Sequence, residues 1–90
     1  MESPTKVVWT RQAKDDLLNL FEALENALGQ ERADAMTSRI VTKSFRLEQF
    51  PAMGAIEWEH SDRLKTIRYL IEGHYKIYDE IRLDAVEILS

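Results

Sequence analysis

The residues best suited to chemistry lie in the last third of the chain, where four cations and a histidine follow one another closely. Lys65, Arg68 and Lys76 could bind a phosphate, and Arg63 could extend the basic strip. His74 could move a proton, because the charge of a histidine changes near neutral pH. Each residue also has an ordinary interpretation, since most lysines and histidines on strands and turns are simply solvated surface residues.

Alternating residue types predict the strands that position these side chains. Three antiparallel strands are expected between Arg63 and Leu89, because Ile, Tyr, Val and Thr recur there with a period of two. The predicted turns are Glu72-Gly73, where glycine accepts a positive φ, and Leu83-Asp84. With a two-residue first loop, Ile71 pairs with His74.

Neither side of this predicted sheet is purely polar. One side carries Lys65, Ile67, Tyr69, Ile71, His74, Lys76, Tyr78 and Glu80. The other carries Leu64, Thr66, Arg68, Leu70, Tyr75, Ile77, Asp79 and Ile81. A sheet with one wet side shows clean apolar and polar alternation, so we expect this chain to cover one side and a partner to cover the other. On the second side, Arg68 is expected to pair with the carboxylate of Asp79.

The first half of the chain is predicted to form the layer that covers one side of the sheet. Lys6–Trp9 reads as a first strand, and Thr10 as the N-cap of an amphipathic helix that ends at Gly29. A second helix is predicted from Gln30 to about Phe50, where Pro51 stops it. So short a link makes the two helices antiparallel neighbours. After a loop, residues 56–59 are expected to form a short strand or an extended stretch. The expected fold class is α+β, with an N-terminal strand and a helical hairpin packed on a mainly antiparallel sheet.

Composition excludes several classes of protein. The 90 residues are 44% hydrophobic and 31% charged, which is typical of one soluble domain, expected to span residues 1–90. The absence of cysteine excludes disulfides and thiolate metal sites. We see no metal-ligand cluster, no cofactor motif and no apolar run of the roughly 20 residues that span a bilayer, and we expect a cytoplasmic protein. The net charge of −4 disfavours a protein built only to bind nucleic acid.

The order of these elements and their residues resembles the RelE/ParE family of bacterial type II toxins. The matching segments are VVWTRQAKDDLLNL at 7–20, LEQFPAMG at 47–54, IRYLIEGHYKIYDEI at 67–81 and VEIL at 86–89. The resemblance implies a growth-arresting toxin held inactive by a cognate antitoxin, and such pairs often form higher-order complexes. RelE-like members cut messenger RNA in the ribosome, whereas ParE-like members poison DNA gyrase.

The resemblance also suggests site residues. Lys76 is similar in position to a basic residue that contacts the scissile phosphate in RelE-like ribonucleases, and Arg68 and Lys65 are candidates beside it. Two departures disfavour that chemistry: Asp79 replaces a usual aromatic, and the sequence ends at Ser90, where relatives continue with a basic segment. We therefore favour ParE-like gyrase inhibition without enzymatic activity. The alternatives are a ribosome-dependent messenger-RNA ribonuclease and an inactive antitoxin-binding member.

The expected contacts to the protein partner are aromatic and apolar. Trp58 is a candidate because aromatic residues are enriched in interface hot spots. The remaining candidates share one side of the predicted sheet, and they are Tyr69, Ile71, Lys76 and Tyr78.

Overall fold

The computed structural model describes residues 6–90 and shows two layers, a helical hairpin on a five-stranded sheet. The elements are β1 (Lys6–Trp9), α1 (Arg11–Leu28), α2 (Gln30–Phe45), β2 (Ala55–Ile56), β3 (Ile67–Glu72), β4 (Tyr75–Ile81) and β5 (Ala85–Ile88). The strand order is β1-β5-β4-β3-β2, and all neighbours are antiparallel except β1 and β5. The predicted fold class is therefore confirmed.

Both ends of α1 form as the sequence predicts. The hydroxyl oxygen of Thr10 accepts a hydrogen bond from the backbone N–H of Ala13 at 3.2 Å, which satisfies one unpaired donor of the first turn. The same hydroxyl donates to the carbonyl of Ile88 at 2.7 Å and so ties the helix start to β5. Gly29 then takes a φ of 92° between the two helices, a conformation that favours glycine.

The second helix ends earlier than predicted. α2 stops at Phe45 rather than near Phe50, and Arg46–Glu48 forms a 3₁₀ turn. The tighter turn directs Leu47 into the core, where it is fully buried. Phe50 precedes Pro51, and the residue before a proline is biased away from the helical region. The apolar periodicity continued across this change of helix type, which is why the sequence alone overextended the helix.

The first hairpin has the predicted faces in a different register. Glu72 pairs with Tyr75, and Ile71 pairs with Lys76 rather than with His74. The two loop residues are Gly73 and His74, so the predicted Glu72-Gly73 turn was wrong by one position. Of these two loop residues only Gly73 has a positive φ, 61°, and a glycine at the first loop position is typical of a type II′ turn. The register moved by two residues, and an even shift leaves every side chain on its predicted side.

The other predicted turn is confirmed, and the segment before β3 is only partly a strand. The backbone N–H of Arg82 donates to the carbonyl of Ala85 at 2.7 Å, which closes a loop of Leu83 and Asp84. In the predicted 56–59 stretch, β2 ends at Ile56 and Trp58–His60 forms a second 3₁₀ turn.

The core lies between the helices and one side of the sheet. Its buried members are Ala13, Ile40, Leu47, Leu70, Ile77, Val86 and Ile88. Trp9 joins the layers through a hydrogen bond from its indole N–H to the hydroxyl of buried Ser44 at 3.1 Å. We call this sheet side the covered face. Neither helix within residues 6–90 is long and apolar enough to cross a membrane.

Candidate functional site

The opposite side of the β3–β4 hairpin forms a partly exposed aromatic surface. We call it the open face and define it by Tyr69, Ile71, Lys76 and Tyr78. Tyr69 and Tyr78 are register partners, with ring centroids 6.3 Å apart and planes tilted by 55°, a geometry that favours aromatic pairing. Ile71, paired with Lys76, remains 57% exposed. Four of the five residues expected to contact a partner therefore adjoin one another on one surface.

Lys76 extends over an aromatic ring on this face. Its ammonium nitrogen lies 4.5 Å from the centroid of the Tyr69 ring, which is within the range of a cation–π interaction. The ring positions the charge, and the stem of the lysine covers apolar surface. Lys76 is therefore held against Tyr69 instead of extending freely into solvent.

The other end of this sheet side is closed. Ile67 and Glu80, which are register partners, are both buried. The hydroxyl of Ser61 accepts from the backbone N–H of Ile67 at 2.9 Å, which ties the preceding loop to this position. Glu80 lies 3.7 Å from the guanidinium of Arg82. The open face therefore begins at Tyr69 and extends toward the β3–β4 turn.

On the covered face, Asp79 is fully buried, and neither carboxylate oxygen has a hydrogen-bond partner. Its register partner is Arg68, as the shared face predicted. The predicted ion pair is nevertheless wrong, because the ion pairs within residues 6–90 are those of Arg82 alone. Burial raises the pKa of Asp79 from 3.8 to about 6, and the positive charge of Arg68 lowers it only in part. Asp79 is the least compensated polar group of the described chain.

The three candidate catalytic cations do not converge. Lys76 lies on the open face, whereas Arg68 is half-buried on the covered face with Asp79. Lys65 lies in the loop before β3, where its backbone N–H donates to the carboxylate of Asp62 at 3.0 Å. Phosphate stabilisation by several cations requires their side chains to approach one reacting group. In this conformation the strand alternation points Lys76 and Arg68 to opposite sides.

The remaining candidates are more peripheral. His74 is exposed in the β3–β4 turn. Trp58 is 77% exposed in the 3₁₀ turn after β2, the strand that pairs with β3. The same turn brings ligand atoms of Glu57, Glu59 and His60 within 4.8 Å of one another. The sequence analysis overlooked this cluster, but its exposed acidic groups are adequately solvated as they stand.

Comparison with known proteins decides the family. A sequence model described as "ParE toxin of type II toxin-antitoxin system, parDE" matches residues 7–90. The chain belongs to the ParE toxin family. A search of curated proteins gave no match. The ParE-family chain is similar to a chain in the solved "Chromosomal ParDE TA system from P. aeruginosa", with a TM-score of 0.80 and 20% identity over 97% of this chain and 92% of that chain. At this identity the likeness concerns the fold, and it supports the expected RelE/ParE-like architecture.

The sequence analysis also missed a basic surface formed by the second half of α2 and the residue after it. Arg39, Lys43 and Arg46 line one groove on the helical layer. The signal was present in the sequence, because no Asp or Glu occurs from Ala35 to Leu47 in a chain whose net charge is −4.

Proposed function

We propose that this ParE-family chain is the toxin of a type II toxin–antitoxin pair and that its antitoxin covers the open face. The observation that carries this proposal is the contiguous group formed by the tilted, half-buried pair of Tyr69 and Tyr78 and by exposed Lys76 and Ile71. Aromatic rings held rigid by their neighbours supply contact area at low entropic cost, and such residues often dominate binding energy. A partner would also remove exposed apolar surface from water.

Measuring antitoxin affinity with an open-face variant tests the first part. Replacing Ile71 by Glu places a charge at the centre of the proposed contact, and we expect the affinity to fall by about 100-fold or more. Leu83→Glu is a matched control, because Leu83 is fully exposed in a turn away from this face. If the Ile71→Glu variant is folded and binds the antitoxin as tightly as the wild type, the open face is not part of the antitoxin interface.

We further infer that the toxin arrests growth by inhibiting DNA gyrase rather than by cleaving RNA. Support comes from the separation of Lys76, Arg68 and Lys65, which leaves no group of these cations around one phosphate position. The pKa of about 6 at Asp79 suits a proton-transfer group, but its full burial denies it contact with a substrate.

A gyrase cleavage assay with purified, antitoxin-free toxin tests this inference. We expect linear DNA to accumulate with toxin concentration, and to depend on gyrase. If the folded toxin has no effect on gyrase and instead cleaves ribosome-bound messenger RNA, the ribonuclease alternative is established. Lys76→Ala then separates the mechanisms, because a ribonuclease that loses a phosphate-stabilising cation is expected to lose about 100-fold or more in rate.

A further inference from the structure

The second half of α2 and the residue after it carry three cations in a chain whose net charge is −4. Arg39, Lys43 and Arg46 follow one another at intervals of four and three residues, which places them on one side of a helix. All three line a single groove together with Glu72 at the end of β3. Within residues 6–90, none of the three forms an ion pair. Their charges therefore face solvent without a carboxylate in contact.

The helix dipole explains only part of this pattern. Cations in the last turn of a helix are stabilised by its partial negative charge, which accounts for Lys43 and for Arg46 just after it. Arg39 lies more than a turn earlier, where this effect has faded. The groove also remains open to solvent with a volume of about 370 Å³, which is room for several side chains. A local stabilising role does not explain its shape.

The groove continues in both directions. At one end it shares Arg39 and Glu72 with a smaller furrow that reaches the β3–β4 turn at Gly73 and His74. At the other end it shares Arg46 with an apolar hollow of about 500 Å³. That hollow is lined by Arg46, Phe50, Pro51, Ala52 and Met53. We call the whole path, from Gly73 to Met53, the α2 groove.

The chemistry of the α2 groove selects a peptide over a nucleic acid. Its apolar end exposes Phe50 by 54% and Met53 by 37%, and a phosphate backbone would gain nothing from these side chains. An acidic peptide with an apolar side chain satisfies both sections, because carboxylates complement the cations while the apolar group fills the hollow.

The groove is continuous with the open face. Its first residues belong to the β3–β4 turn, where the pair of Glu72 and Tyr75 directly follows the pair of Ile71 and Lys76. A chain that leaves the open face at this turn would reach Arg39 next. From Met36 to Arg46 the helix rises by about 15 Å, which about five extended residues would span.

We propose that the α2 groove binds an acidic segment of the antitoxin that continues from the open face, with carboxylates at Arg39, Lys43 and Arg46 and an apolar side chain at Phe50 and Met53. This proposal rests on the antitoxin partnership proposed above, and it adds a second contact surface on the opposite layer of the toxin. Its sequence requirement is an acidic stretch that ends in an apolar residue.

The first experiment measures peptide binding to the α2 groove in the absence of the antitoxin. The probe is a fluorescein-labelled peptide of about ten residues, rich in Glu with a terminal Leu-Phe pair, long enough for the estimated span. The variant Arg39→Ala/Lys43→Ala/Arg46→Ala is compared with Arg11→Ala/Lys14→Ala/Arg63→Ala, which removes the same charge from exposed positions elsewhere. We expect the groove variant to bind about tenfold more weakly and the control to change less than about twofold. Equal weakening of both variants would overturn the proposal, as would preferential binding of a short DNA duplex.

The second experiment repeats the comparison with purified antitoxin. The groove variant should lower the affinity by about tenfold and reduce its dependence on salt between roughly 50 and 300 mM. If Ile71→Glu abolishes antitoxin binding while the groove variant does not weaken it, the groove proposal fails and the open-face proposal stands. If the groove variant weakens binding while Ile71→Glu does not, the open face fails and the groove stands. Circular dichroism of each variant checks that the fold is retained.

Discussion

Charged side chains have opposite environments on the two faces of the β3–β4 hairpin. On the open face, Lys76 lies over the ring of Tyr69, and its charge is both solvated and attracted to the aromatic ring. On the covered face, Asp79 is fully buried with no hydrogen-bond partner. Alternation along the strands separates these environments by a single residue step. The open face is therefore suited to contact another molecule. The covered face stabilises the fold, except at the carboxylate of Asp79.

This contrast indicates where stability and binding reside. The apolar contacts that hold the layers together lie on the covered face, around Leu70, Ile77 and Leu47. The open face contributes fewer buried contacts and can change with less cost to the fold. A carboxylate among buried residues is expensive because it loses hydration without gaining a partner. Asp79 thus offsets part of the stability that its neighbours supply.

The largest expected effect comes from truncating isoleucines on the two faces. Ile77 is 2% exposed on the covered face, whereas Ile71 is 57% exposed on the open face. Because a buried isoleucine leaves a cavity when truncated, Ile77→Ala should lower the free energy of unfolding by about 2–5 kcal/mol. Ile71→Ala should lower it by less than about 1 kcal/mol. Urea denaturation of both variants measures the difference, and similar losses would show that the open face is part of the core.

The next effect is a gain in stability at Asp79. A carboxyl whose pKa is raised on folding binds its proton more tightly in the folded state, so stability falls as the pH rises from 3.8 toward 6 and stays low above it. The shift from 3.8 to about 6 corresponds to roughly 3 kcal/mol. Asp79→Asn removes the charge but buries an amide without a partner, and it should therefore stabilise the fold by about 1–3 kcal/mol near pH 7.5.

The control for Asp79 is a second carboxylate exposed to solvent. Asp84→Asn changes the same group in the exposed turn between β4 and β5 and should leave stability within about 0.5 kcal/mol. Urea midpoints near pH 5 and pH 7.5 complete the design, because the advantage of Asp79→Asn should shrink at the lower pH. An advantage that is the same at both values would mean that the carboxylate does not titrate as its burial implies.

The faces of the hairpin followed from the sequence, but the fate of Asp79 did not. Period-two alternation assigns each side chain to a side of the sheet, and an error of two residues in the register leaves that assignment intact. Whether a charge on a given side finds a partner depends on side-chain conformations and on the depth of the covering layer. The sequence showed that Asp79 and Arg68 share a face, and it could not show that they fail to meet.

The helices show the same limit. Thr10 and Gly29 mark the ends of α1 by local hydrogen-bonding and φ requirements, which a sequence displays directly. The end of α2 depends instead on how Leu47 reaches the core through a 3₁₀ turn, and that is a tertiary effect. The α2 groove depends on the approach of Glu72 and the β3–β4 turn to the helix. Sequence spacing alone predicts the basic side of the helix but not the groove beside it.

A close backbone approach at the sheet edge gives the next prediction. A Cβ added at Gly54 would lie 2.8 Å from the carbonyl oxygen of Tyr69 and 3.2 Å from the Cβ of Arg68. Because the nearest atom belongs to the backbone, Gly54→Ala should displace the β2 edge from β3 and destabilise the fold by about 1–3 kcal/mol. Ala55→Gly, at an exposed neighbouring position in β2, controls for a change in the loop. The melting temperatures of both variants measure the effect. An unchanged melting temperature for Gly54→Ala would show that β2 can shift without loss of stability.

The smallest expected effect concerns the cation–π interaction between Lys76 and the ring of Tyr69. A double-mutant cycle of Lys76→Met and Tyr69→Leu isolates the interaction between the ammonium group and the ring. Since the nitrogen lies 4.5 Å from the centroid at an exposed site, we expect a coupling of about 0.5–1 kcal/mol. Lys65→Met with Tyr69→Leu should show no coupling, because Lys65 lies in the loop before β3. A coupling near zero for Lys76 would mean that its charge is unconstrained before the partner binds, and ordering it would then reduce the affinity of the open face.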